Sequence, residues 1–179
     1  MSCKSCYHDQ WHYPMPYWNY NWDPHYYNWH NNNWNNTWNP YYGYIELKDY
    51  GSKPFVVNIE QAAKQNNTYR TALWTGKYLQ VTLMSINVGD DIGLEVHKET
   101  DQFIRIEEGQ GLVRMGDSKD KLDFEQRVYD GYAIMIPAGA WHNVINTGNI
   151  PLKVYVIYAP PKHPFGTVHE TKAMAMAAE

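Results

Sequence analysis

From Ile45 onward the chain is written in short runs in which apolar and polar positions alternate. Arg70–Thr75, Lys77–Ile86, Ile92–His97, Gln102–Ile106, Leu112–Met115, Arg127–Tyr129, Tyr132–Ile136, Trp141–Asn146 and Leu152–Tyr158 all read as strands. Phe55-Val56-Val57 reads as a short strand ahead of them. Turn clusters punctuate the series: Gly89-Asp90-Asp91, Glu108-Gly109-Gln110-Gly111, Gly116-Asp117-Ser118-Lys119-Asp120, Asp130-Gly131 and Asn146-Thr147-Gly148-Asn149. Many short strands spaced by such turns predict an all-β sandwich or barrel, and nothing has βαβ character. Two helical signals interrupt the pattern. Asn58-Ile59-Glu60-Gln61 has an Asn with a Gln three residues on, leading into one or two turns through Ala62, Ala63 and Lys64. Thr167-Val168-His169-Glu170 reads as a capping box that opens a short C-terminal helix.

The first 44 residues are of another kind. From Met1 to Tyr44 there is no Ile, Leu or Val, yet there are six tryptophans, nine tyrosines and the cluster Asn31, Asn32, Asn33, Asn35 and Asn36. A segment without aliphatic side chains cannot fill a close-packed core. The expected organisation is a tail over 1–44, a β-barrel over 45–161 and a C-terminal extension with a short helix over 162–179. Aromatic and amide side chains with so little charge favour self-association. Stacking on sugar rings and a disordered tail of biased composition are the alternatives. In style the tail resembles the Tyr- and Asn-rich segments of bacterial spore-coat and exosporium proteins. Cys3 and Cys6 admit three readings: a zinc site with His8 and His12, a crosslink between chains, or inert thiols.

Net charge is −4 and no basic run is present, so the footprint of a nucleic-acid binder is missing. The apolar runs are too short to span a bilayer, and Met1 is followed by Ser, Cys and Lys rather than an apolar leader. Synthesis in the cytoplasm without a signal peptide is expected, with the spore coat or exosporium as a later destination.

Glu95, His97, Gln102 and His142 form the candidate chemistry. Glu95 and His97 lie two apart on one strand and so share a face. The residues Lys98-Glu99-Thr100-Asp101 suit a four-residue hairpin that sets Gln102 opposite His97, with Cβ atoms roughly 5 Å apart. His142, after the tight turn Pro137-Ala138-Gly139, would complete the set from across the barrel. Gly89, Glu95, His97, Gln102 and Gly109 then fall on the spacing of the first motif of the cupin superfamily: a Gly, five residues, His-x-His, four residues, Glu, six residues, Gly. Gly131, Pro137, Gly139, His142 and Asn146 match its second motif at every position. The chain thus resembles a single-domain cupin over roughly Leu79 to Tyr158. Two positions depart from the pattern: Glu95 stands where the first His usually is, and Gln102 where the Glu usually is.

The resemblance implies an antiparallel jelly-roll barrel and a divalent metal ion held by Glu95, His97, Gln102 and His142. Two imidazoles and one carboxylate suit Fe(II), and also Mn(II), Co(II), Ni(II) or Zn(II). It implies a metal-dependent enzyme of isomerase or dioxygenase type, with these four residues carrying the chemistry on a small sugar-like or weakly acidic substrate. The alternative is a coat subunit whose barrel serves assembly without catalysis. Cupins commonly pair through barrel strands, so a homodimer is expected, with higher assembly through residues 1–44.

Strand parity adds expectations. Ile104 and Ile106 should face inward with Gln102, while Phe103, Arg105, Trp141 and Asn143 face away. The lining nearest the ion is then aliphatic, with no fixed arginine. Sequences of this kind are often labelled mannose-6-phosphate isomerase-like, but a phosphosugar needs a cationic anchor, and the label is set aside on that ground. His163 and His169 are expected at the surface, and Glu107 and Glu108 in solvent.

Overall fold

The structure is a computed structural model that describes residues 43–178. The chain divides into two units, Met1–Gly43 and Tyr44–Glu179, and among the described residues every element lies in the second. The expectations for Cys3, Cys6, His8, His12 and the tail aromatics fall outside the described residues.

A short helix, α1 (Ile59–Gln65), is followed by strands β1 (Arg70–Thr75), β2 (Gln80–Ile86), β3 (Glu95–Val96), β4 (Asp101–Glu108) and β5 (Gln110–Gly116). Then come β6 (Phe124–Tyr129), β7 (Ala133–Ile136), β8 (Trp141–Asn146), β9 (Leu152–Ala159), β10 (Val168–His169) and a second short helix, α2 (Lys172–Ala178). The strands form two antiparallel sheets, one of six in the order β10-β1-β2-β9-β4-β7 and one of four in the order β3-β8-β5-β6. This is the expected all-β jelly-roll barrel. Ile104, Ile106, Val113, Val144, Val154 and Val156 point between the sheets and are buried. Each such side chain contributes ~1.5–3 kcal/mol by leaving water.

A second apolar layer covers the outside of the six-stranded sheet. Asn58 caps α1, its side-chain oxygen accepting from the Gln61 N–H at 3.1 Å. The helix then lays Ala62 and Ala63 over Leu73 and Leu83, together with Ile45, Leu47, Phe55 and Val57. β1 and β2 are therefore covered on both faces, which is why their sequences do not alternate cleanly.

Three expected elements differ. The strand read over Ile92–His97 is only Glu95–Val96, with His97 beyond its end. Phe55-Val56-Val57 is not a strand: Phe55 and Val57 pack into the outer layer while Val56 is 97% exposed. The C-terminal cap is displaced, because the free edge of β1 takes up the chain first. Arg70 and Thr71 pair with His169 and Val168, and the Ala72 N–H donates to the Thr167 carbonyl at 2.8 Å. α2 starts only at Lys172, with Thr171 Oγ1 accepting from the Met174 N–H at 3.3 Å. Lys172 ties this helix to the loop before β3 through Asp90 and Asp91, at 2.7 and 2.5 Å.

Candidate metal centre

Strand pairing brings three of the four expected ligands together, by a route different from the expected hairpin. β3 pairs with β8, in the other sheet from β4, and Glu95 is the direct cross-strand partner of His142. His97 lies two residues beyond Glu95, and its carbonyl accepts from the Gly139 N–H at 2.8 Å, which fastens it to the Pro137-Ala138-Gly139 turn. Gly139 has φ of 86°, a left-handed turn conformation that glycine adopts without cost. Potential ligand atoms of Glu95, His97 and His142 all lie within 4.8 Å of one another.

The expectation that Gln102 sits opposite His97 in a hairpin is corrected. Gln102 is paired with Ile136 on β7 and Tyr158 on β9. It nonetheless faces the barrel interior, 3% exposed, and neither atom of its amide has a hydrogen-bond partner. Its neighbour Tyr158 meets the His97 ring edge-on, with centroids 5.7 Å apart. Asp101 Oδ1 accepts from the Ala138 N–H at 2.8 Å, so the start of β4 is tied to the same turn as His97.

Hydrogen bonds and close polar contacts orient the three side chains. His142 Nδ1 lies 3.0 Å from the Ala140 carbonyl, which can only accept, so Nδ1 carries a proton and Nε2 turns toward Glu95. Nε2 of His97 and Nε2 of His142 are each 3.3 Å from Glu95 Oε1. Both nitrogens lack a directed hydrogen bond, so these are loose polar contacts rather than formed bonds. Burial works to raise the Glu95 carboxyl, but the contacts with His142 and His97 outweigh it and hold the group down at about 2. One carboxylate thus faces the Nε2 atoms of two imidazoles in a nearly dry site, a set of ligand atoms able to hold a metal ion.

Ile104 and Ile106 turn inward as parity predicts and are buried, while Arg105, Trp141 and Asn143 are half-buried and His142 is wholly buried. Arg70 on β1, which the sequence did not single out, is wholly buried and acts electrostatically on His163. Two expectations are corrected. Glu107 is buried on the outer face of β4, near Glu60 and Lys64 of α1, and burial pushes its carboxyl up. His163 is not a surface histidine: its Nε2 is buried and its ring stands edge-on to Tyr158 at 5.0 Å. No local sequence signal marks His163, because the residue that fixes it is Gln80, far away in the chain.

Burial, followed by the positive charge of Arg70, pushes the His163 imidazole from 6.5 down to about 3. The unfolded chain therefore binds one proton more than the folded chain between those values, and metal-free stability falls as pH drops through the window. Replacing His163 with Phe is expected to flatten that acid limb in urea titrations run from pH 7 to pH 4. Unchanged slopes would mean that the ring takes up protons in the folded state.

Two surface depressions of the barrel lie away from these three residues. One of about 210 Å³ sits beside Gln110, Glu125 and Arg127, and another of about 370 Å³ beside Phe103, Met135 and Ile157. Neither brings together such a set of donors among the described residues.

Comparison with known proteins bears on the fold. The family model for the cupin domain matches residues 82–158. Uncharacterized protein YrkC of Bacillus subtilis (strain 168) is 72% identical over 133 residues, covering 74% of this chain and 72% of that protein. Uncharacterized protein L612 of Acanthamoeba polyphaga mimivirus is 39% identical over 115 residues, covering 64% and 70% respectively. The crystal structure of BH2720 from Bacillus halodurans is 66% identical, with a TM-score of 0.73, covering 73% of this chain and 99% of that one.

Proposed function

This chain belongs to the cupin domain family, and from that premise we propose a metal-dependent enzyme that acts on a small sugar-like or weakly acidic molecule by isomerisation or dioxygenation. The observation that carries the reading is the convergence of Glu95, His97 and His142 within 4.8 Å. Gln102 would be the fourth and weakest ligand, its amide oxygen competing poorly with water for a divalent cation. The ion, one of Mn, Fe, Zn, Ni or Co, would polarise an oxygen of the bound molecule. Glu95 supplies the one charge of the ligand set. The Ala140 carbonyl fixes the His142 tautomer. Ile104 and Ile106 shield the site from water and raise the weight of every charge in it. Metal analysis of the purified protein is expected to find close to one ion per chain, and none in Glu95→Ala. A wild-type protein that neither holds nor takes up a divalent ion would remove this reading.

A second reading, a subunit of an assembled coat, is favoured by the composition of residues 1–44. No helix among the described residues is long and apolar enough to cross a membrane. Sheltering part of several aromatic rings gives some kcal/mol per chain at ~25 cal/mol per Å². Sedimentation velocity is expected to show large assemblies for the full-length protein. A chain starting at Tyr44 is expected to run as a dimer, because the sheets leave open edges, such as β7, that pairing would cover. Identical sedimentation of the two proteins over a wide concentration range would end the assembly role.

A further inference from the structure

His163 is a half-buried residue whose Nε2 is shut off from solvent and is not used by the proposed ion site. Gln80, wholly buried on β2, stands in register with Tyr158 on β9. Its amide nitrogen donates to the His163 carbonyl at 2.9 Å, and its amide oxygen accepts from the His163 N–H at 2.9 Å. A buried glutamine thus clamps the backbone of residue 163 from both sides and sets its imidazole against Tyr158. The two rings meet edge-on, with centroids 5.0 Å apart and planes at 88°.

Tyr158 also meets the His97 ring, at 5.7 Å, so one tyrosine has a ligand of the ion site and His163 as its ring neighbours. The His163 Nε2 is buried without a hydrogen-bond partner. The Gln102 amide, on the strand beside Tyr158, is buried and also without one. Each buried polar atom left in that state costs ~1–3 kcal/mol. A protein that clamps such a group in place with a second buried side chain holds it there for a partner that arrives from outside.

Resting on the ion-binding reading above, we propose that His163 is a ligand-binding residue of the same interior. Its Nε2–H donates to the far carboxylate of a small molecule whose nearer oxygen sits on the ion held by Glu95, His97 and His142. The ligand class is a short carboxylic acid with oxygen at both ends, such as a dicarboxylate, a hydroxy acid or a keto acid. Arg70 sets the sign of the far end. It is wholly buried on β1, its positive charge reaches His163, and a positive field beside the imidazole favours an anionic oxygen over a neutral one. Burial and that same charge keep the ring in its neutral form, with a single N–H on one nitrogen and a lone pair on the other.

Calorimetry on the zinc-loaded full-length protein tests this, with acetate as a one-ended probe and malonate, succinate and glutarate as two-ended ones. The best dicarboxylate is expected to bind at least about tenfold more tightly than acetate, the worth of one charge-assisted hydrogen bond. His163→Phe keeps a ring against Tyr158 and removes the donor. It should cut the dicarboxylate affinity by about tenfold and leave zinc and acetate binding unchanged. His163→Gln, which restores an N–H, should recover part of the loss. Equal binding of acetate and all three dicarboxylates to the wild type, or wild-type dicarboxylate affinity in His163→Phe, would overturn the assignment. Failure of the wild type to take up zinc would be a different result: it removes the ion site, and the two-ended ligand with it.

Discussion

Alanine at His97 or at His142 is expected to lower divalent-metal affinity by more than 100-fold, since loss of a mere outer-shell partner already costs about 10–100-fold. The two residues are not equivalent in how they are held. His142 is wholly buried, with Nδ1 committed to the Ala140 carbonyl, so its Nε2 is aimed before the ion arrives. His97 is aimed by its own carbonyl, which accepts from Gly139, and by the edge of Tyr158. Glu95→Gln keeps the shape of the site and removes its charge, so it should cost nearly as much as losing a histidine. Gln102→Ala should cost only a few-fold, because water replaces a neutral amide oxygen at little loss. Gln102→Glu should strengthen binding by adding a second carboxylate. Metal retained after replacement of both histidines, or weakened by Gln102→Glu, would show that the ligand set is wrong, and the coat-subunit reading would then take first place.

Glu95 shapes the metal-free protein as well. With its carboxyl held at about 2 against an ordinary value of 4.5, the folded chain binds fewer protons than the unfolded one between those values. Its contribution is therefore complete above about pH 4.5 and lost as pH falls through 2. Across the neutral range Glu95 stays charged, and it offers a binding metal a carboxylate that needs no deprotonation.

What was legible in the sequence was what local spacing can encode. The strand runs from Arg70 to Tyr158 and the Asn58 cap declare themselves through period-2 alternation, Gly-marked turns and one capping residue. The identities of Glu95, His97 and His142 followed from motif spacing, and the inward turn of Ile104 and Ile106 from parity. Pairings between distant segments were not legible. β3 is only Glu95–Val96, too short to announce a partner, and its pairing with β8 replaces the hairpin that the four residues after His97 suggested. The run Thr167–Glu170 fits a helix start locally, but the open edge of β1 offered a ladder of backbone bonds that a cap cannot match. Arg70 escaped notice because β1 is covered on both faces, so burial along it does not alternate. His163 escaped because a clamp from Gln80 leaves no trace within a short window of sequence.

Gly116→Ala should be the most destabilising single methyl in the four-stranded sheet, and it separates the fold from the site. A Cβ at Gly116 would lie 1.9 Å from the Lys121 carbonyl oxygen, 2.8 Å from its carbon and 2.9 Å from the Leu122 Cα. All three are backbone atoms, so no side chain can swing aside, and the loss should reach the upper end of overpacking, ~3 kcal/mol. That corresponds to a fall in Tm of roughly 10 °C for a domain of this size. Gly139→Ala is the contrast. No heavy atom lies within 4 Å of the added methyl there, and only the left-handed backbone, φ 86°, resists it, at ~1–2 kcal/mol. The site could suffer at Gly116 as well, because Met115 pairs with His142 and Gly116 with Trp141. Two structures can yield to the clash: the turn at 117–121, which is exposed throughout, or β8, which β3 and β5 hold on both sides. The exposed turn is the softer, so metal affinity at a temperature where the variant is folded should stay within about threefold of wild type, a change of well under 1.4 kcal/mol. A tenfold loss of metal with stability intact would show the reverse, that β8 gives way and carries His142 out of line with Glu95.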